Sequence, residues 1–132
     1  MTVTRLGVRT NCLVYALVAD RKVKYPDGRS GIAYIGTTSR GINRFARSVA
    51  IQSDDILGLH GVQSFRVAIV TYTIRPGVRR PWHKLERALL LSFRERYGQV
   101  PVLNRTGMRM KETNEFEYFS RRHMERILEE IS

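Results

Sequence analysis

The sequence predicts an α+β fold, a small antiparallel or mixed three-stranded sheet flanked by helices in the order ββαβαα. Three observations predict it. Two short apolar runs of strand length flank a turn-rich segment near the start of the chain. A run rich in β-branched residues follows in mid-chain. Around it lie segments whose apolar residues recur at helical spacing. With 132 residues, 42% of them hydrophobic, the chain suits one domain with a real core.

Residues 11–19 (Asn11 to Ala19) form the first apolar run. Both faces of its pleat are apolar, which predicts an interior strand. Arg21 to Gly31 contains Pro26-Asp27-Gly28 and Gly31, which is turn chemistry, so the strand is expected to end before it. Ile32 to Thr37 reads as the second strand, and the pair as an antiparallel hairpin with a long loop.

A helix is expected next, capped by Thr38 or Ser39, with Ile42, Phe45, Ala46 and Val49 at helical spacing. Arg40, Arg44, Arg47 and Ser48 take its other side. Ser64 to Ile74 is the third strand. Pro81 suits a first helical position, and the helix it opens runs through Trp82, Leu85, Leu89 and Phe93 to Gly98. Pro101 to Gly107 is a short extended segment and turn. Asn114 with Glu117 resembles a capping pair. It predicts a last amphipathic helix over about 114–131, with Phe116, Phe119, Met124, Ile127, Leu128 and Ile131 in one stripe.

Charge supplies the first functional indication. A net charge of +11 on this small chain implies an anionic partner, nucleic acid before membrane. Residues 1–110 hold 19 of the 23 basic residues but 6 of the 12 acidic ones, a net of +13. No stretch approaches the roughly 20 apolar residues of a membrane span, and no signal-peptide pattern follows Met1. The single cysteine, Cys12, excludes an internal disulfide and a thiolate metal cluster and reads as a core thiol. The expected compartment is cytoplasmic.

Two features carry chemistry. Glu86 lies four residues after Trp82 and three, four and seven before Leu89, Leu90 and Phe93, inside the apolar stripe of its helix. A carboxylate there is costly unless it is paired, for example with an arginine, or binds a cation. Tyr34-Ile35-Gly36 ends one strand, with Tyr15 on its partner. Tyrosines on strands most often serve packing. His60, His83 and His123 are too scattered for a zinc site, although His83 stands three residues before Glu86.

Taken in order, these residues resemble the GIY-YIG nuclease family. Leu13-Val14-Tyr15 stands where the first motif would be, and Tyr34-Ile35-Gly36 matches the second. Arg44 matches the family's arginine, Glu86 its metal-binding glutamate and Asn104 its closing asparagine, a resemblance that spans about residues 11–107. Leu13 replaces the first motif's glycine, Ser48 stands where many members have histidine or tyrosine, and the loop between the tyrosine motifs is longer than usual. The last helix lies beyond the family core.

The resemblance implies a stand-alone, metal-dependent endonuclease, with DNA favoured over RNA. Tyr15, Tyr34, Arg44 and Glu86 would be catalytic, with Mg²⁺ or Mn²⁺ on Glu86. Gly36 and Asn104 would shape the site, and Arg40, Arg47, Arg79 and Arg80 would bind nucleic acid. Specificity would come from loops such as 20–31 and 51–63, from homo-oligomerisation, or hardly at all. The alternative is a basic nucleic-acid-binding module without catalysis.

Overall fold

A computed structural model describes residues 2–3, 12–38, 41–72 and 77–132, with backbone alone for 2–3 and 41–44. Its elements are β1 (Thr2–Val3), β2 (Leu13–Tyr25), β3 (Gly28–Thr38), α1 (Gly41–Leu57), β4 (Phe65–Val70), α2 (Pro81–Tyr97), α3 (Glu115–Tyr118) and α4 (Arg121–Ile131). The fold is α+β, as expected. β2 lies between β3 and β4 and is antiparallel to both. The pairing of β1 in parallel with β4 makes the sheet four-stranded and mixed, in the order β1-β4-β2-β3.

The double-sided burial of β2 follows from its sequence. Val14, Ala16 and Val18 join one core with α2 and α4, while Leu13, Tyr15, Leu17 and Ala19 join a second core with α1. Alternate residues point to opposite faces, so an apolar run without alternation must be covered on both. Phe45, Val49 and Ile56 supply the buried side of α1. Met124 and Leu128 of α4 are fully buried against α2, each contributing roughly 1.5–3 kcal/mol. The last stripe thus covers this chain's own core.

Two expectations need correction. Residues 21–31 are not a long loop: β2 runs on to Tyr25 and β3 starts at Gly28, so the connection is only Pro26-Asp27. The turn docks on the end of α2, where Asp27 N donates to Tyr97 O at 3.1 Å. Gly98 makes this close approach possible: with φ 85° it ends the helix, and a Cβ there would sit 2.8 Å from Asp27 Oδ2. The last helix is also not continuous. Asn114 precedes only the four-residue α3, and its side chain, instead of capping, accepts from Lys84 Nζ at 2.7 Å. α4 starts afresh after Ser120, whose Oγ accepts from His123 N at 3.2 Å.

Smaller differences concern ends. Thr38 is the last residue of β3, and Ser39 lies outside the described residues. The third strand, expected over Ser64 to Ile74, is observed as Phe65–Val70, and residues 73–76 lie outside the described ones. α2 matches the expected bounds, with Pro81 at its start and Gly98 just past its end. Among the described residues no helix is long and apolar enough to cross a membrane.

Candidate active site

Strand register brings the two tyrosines together. Tyr15 pairs with Gly36, and Leu17 with Tyr34, so Tyr15, Tyr34 and Gly36 share the sheet face that α1 covers. The Tyr34 ring folds over Gly36: a Cβ on Gly36 would lie 2.5 Å from Tyr34 Cε1 and 2.9 Å from its hydroxyl. Only a residue without a side chain leaves this space. The ring thereby reaches Tyr15, with centroids 6.0 Å apart. Phe45 of α1 stands edge-on to Tyr15 at 5.1 Å and holds it from the other side.

The two hydroxyls differ in role. Burial raises the pKa of Tyr15 far above its ordinary value; the neighbouring Tyr34, a hydrogen bond to Tyr34 and the Glu86 carboxylate raise it further. Burial and Glu86 also raise Tyr34, but the hydrogen bond with Tyr15 lowers it. Their hydrogen bond therefore favours negative charge on Tyr34 over Tyr15. Tyr15 is only 2% exposed, whereas Tyr34 is half-buried and borders a cleft of about 220 Å³.

Glu86 lines the same cleft, with Gln52, Asn104, Arg105 and Thr106 around it. Its side chain is 19% exposed, and burial pushes its carboxyl up to about 7, against a weaker opposite pull from the Arg87 charge. Of the two readings of this buried carboxylate, the arginine salt bridge does not form among the described residues. Among the described residues, only His83 stands within ion-pair distance, its Nδ1 3.9 Å from Glu86 Oε1. Burial, then the charges of Arg80, Arg87 and Lys84, lower His83's pKa and favour its neutral form.

Asn104 is tied to the second tyrosine motif itself. Its Oδ1 accepts from Ile35 N at 3.0 Å and its Nδ2 donates to Ile35 O at 2.8 Å. Leu103 N also donates to Ala33 O at 2.9 Å, so this segment completes the free edge of β3 and forms one wall of the cleft.

Arg44 lies in α1 immediately before Phe45, but its side chain, like the whole of Arg40, is outside the described residues. Arg47 is exposed on α1, and Arg79 and Arg80 are exposed just before α2. Other arginines are occupied within the fold. Arg87 Nε pairs with the buried Glu115 at 2.6 Å, and Arg94 Nη1 donates to three carbonyls, those of Gly107, Met108 and Met110. Arg121 pairs with Glu95 and Glu112, and Arg96 with Glu129.

Sequence reasoning missed Gln52, Arg105 and Thr106. Gln52 carried a signal: it lies seven residues after Phe45 and three after Val49, a polar residue on the buried side of α1. Arg105 and Thr106 have no periodic pattern around them to reveal them. Comparison with family models, curated proteins and solved structures returned no match.

A divalent cation suits this donor set. Among the described residues no three histidine, cysteine, aspartate or glutamate side chains gather to form a closed cage. Glu86 is a lone, largely buried carboxylate facing a cleft without a described hydrogen-bond donor on it. A hard cation that keeps several of its waters needs only such a foothold.

Proposed function

We propose that this protein is a metal-dependent endonuclease of the GIY-YIG type that hydrolyses phosphodiester bonds in double-stranded DNA. One observation carries the reading. A tyrosine pair on adjacent strands and a largely buried carboxylate from α2, with no arginine or lysine partner among the described residues, meet at one cleft, in the chain order that the motifs require.

Glu86 and water would hold Mg²⁺ or Mn²⁺, which supplies Lewis acidity toward the scissile phosphate when bound. The protein does the rest. Tyr34, at the edge of the cleft, orients the attacking water. Tyr15, through its hydrogen bond with Tyr34, would favour negative charge on the Tyr34 oxygen. Arg44, on the helix that packs on the tyrosines, is the cation for charge developing on phosphorus. Exposed Arg105, at the cleft, offers a phosphate contact that the sequence did not reveal. Asn104 holds the wall and takes no part in proton transfer.

The test is incubation of supercoiled plasmid with the purified protein, with and without Mg²⁺ or Mn²⁺. Nicked and linear products in the metal-containing samples alone support the reading. Intact plasmid under every divalent metal, with DNA still bound, would favour the non-catalytic binding module.

A further inference from the structure

The strands that replace the expected loop carry their own charge pattern. Lys22, Lys24 and Arg29 are all exposed, and Lys24 is paired directly with Arg29 across the hairpin. Like charges opposite each other on a sheet repel and destabilise it. Among the described residues no carboxylate lies within ion-pair distance of any of the three. The nearby Asp20 is turned to the main chain of Gln63, which donates to it at 3.2 Å.

Their direction follows from an irregularity in β2. In its first half, odd-numbered residues (Leu13, Tyr15, Leu17) face α1, and even-numbered ones (Val14, Ala16, Val18) face α2. Register shifts at Leu17/Val18 and Val18/Val23 reverse this, because Val23 and Tyr25 now pack with α2. Lys22 and Lys24, and Arg29 opposite, therefore lie on the sheet face that holds Tyr15 and Tyr34. Nine residues separate Tyr15 from Lys24. At about 3.3 Å per residue this is at most about 30 Å, somewhat less than one helical turn of B-form DNA, about 34–36 Å, a gap that the long lysine and arginine side chains can span.

We propose that Lys22, Lys24 and Arg29 form a second grip on duplex DNA, holding phosphates about one helical turn from the tyrosine pair. It rests on the nuclease reading only for where the cut lies. A phosphate between Lys24 and Arg29 relieves their mutual repulsion, and a contact one turn away meets the same side of the duplex as the cleft. A short duplex reaches one grip, and a longer one reaches both.

The experiment compares the parent with the triple variant Lys22→Gln, Lys24→Gln, Arg29→Gln in metal-free buffer. Affinity is measured for duplexes of about 6 to about 24 base pairs, spanning less and more than one turn, and for a single strand of the longest length. The parent's affinity should climb about tenfold or more as the duplex passes one turn, and the variant should lose most of that climb. The variant's plot of log affinity against log salt should be shallower by about 2.7, three contacts at about 0.9 each. An unchanged climb and slope would overturn the proposal, as would an equal loss on the single strand. The variant's unfolding midpoint should match or exceed the parent's, since a repulsion is removed. If it falls instead, Lys24→Gln alone decides, with an expected slope change of about 0.9. A parent that binds in this way but never cuts leaves the grip standing and removes the nuclease reading.

Discussion

Asn104 satisfies both main-chain polar groups of Ile35, accepting from its N–H at 3.0 Å and donating to its carbonyl at 2.8 Å. A side chain here does what a neighbouring strand does elsewhere in a sheet. The bond pair joins the wall of the cleft to the strand that bears Tyr34, although 69 residues separate the partners. Asn104→Ala should leave both groups of Ile35 without this partner and destabilise the protein by about 2–4 kcal/mol. Asn104→Asp should be no better, because it sets a second carboxylate oxygen against the Ile35 carbonyl. Denaturant unfolding measures both. Wild-type stability in Asn104→Asp would show that the donor half of the bond is unimportant.

Gly36 predicts a different split between stability and geometry. Alanine there collides with the Tyr34 ring, but Tyr34 is half-buried and can swing aside. Gly36→Ala should therefore lose only about 1 kcal/mol of stability. The Tyr15–Tyr34 contact should be lost, visible as altered tyrosine ring signals by NMR, and plasmid cutting should fall by tenfold or more on the order of one misplaced catalytic group. Unshifted ring signals would show that the space over Gly36 is not what positions Tyr34.

Glu86 and Glu115 respond to pH in opposite directions. Glu86, raised to about 7, binds more protons folded than unfolded between its ordinary value of 4.5 and about 7. Its own contribution then falls as pH rises through that window, by on the order of 3 kcal/mol, while His83, lowered by burial, pulls the other way below its ordinary value of 6.5. Glu115 behaves oppositely. Burial alone would raise it, but hydrogen bonds from Arg87 and Thr113 outweigh this and hold it at about 2. Its contribution is complete above its ordinary value and is lost as pH falls from about 4.5 to about 2. In a pH series of unfolding free energies, Glu86→Gln should flatten the upper limb and Glu115→Gln the acid limb. An upper limb that survives Glu86→Gln assigns the effect to another group.

Magnesium offers a readout that does not depend on cutting. Millimolar Mg²⁺ should raise the unfolding midpoint of the parent at pH 8, by an amount that grows with the logarithm of concentration above Kd. It should do so much less in Glu86→Gln, which lacks the carboxylate foothold. Equal shifts in the two proteins would place the ion elsewhere.

Much of this was legible in the sequence because the signals were strong and local. The double-sided apolar run from Leu13 to Ala19 announced a central strand, and Pro81 with Gly98 marked both ends of α2. Glu86 stood out as a charge inside an apolar stripe, and the spacing placed Tyr15 opposite the Tyr34-Ile35-Gly36 strand. The hairpin's outer half was not legible, since Arg21, Lys22, Lys24 and Arg29 look like loop when no neighbour buries them. Nor was the break at Phe119 and Ser120, where the apolar stripe continues across a gap in the helix. The Arg87–Glu115 pair joins residues 28 apart and leaves no local trace. Asn104 could be located by its place in the motif order, but its bond to Ile35 needed the fold.

The most direct measurement compares the parent with Glu86→Gln for plasmid cutting in Mg²⁺ and for DNA binding in its absence. Glutamine keeps the size of the side chain and removes the charge that would hold the cation. The variant should remain folded, bind DNA as well as the parent or better because a charge that repels phosphate is gone, and cut at least about a hundredfold more slowly, about 2.7 kcal/mol of lost transition-state stabilisation. Cutting at the parental rate by Glu86→Gln would contradict the account, because no other carboxylate lines the cleft among the described residues.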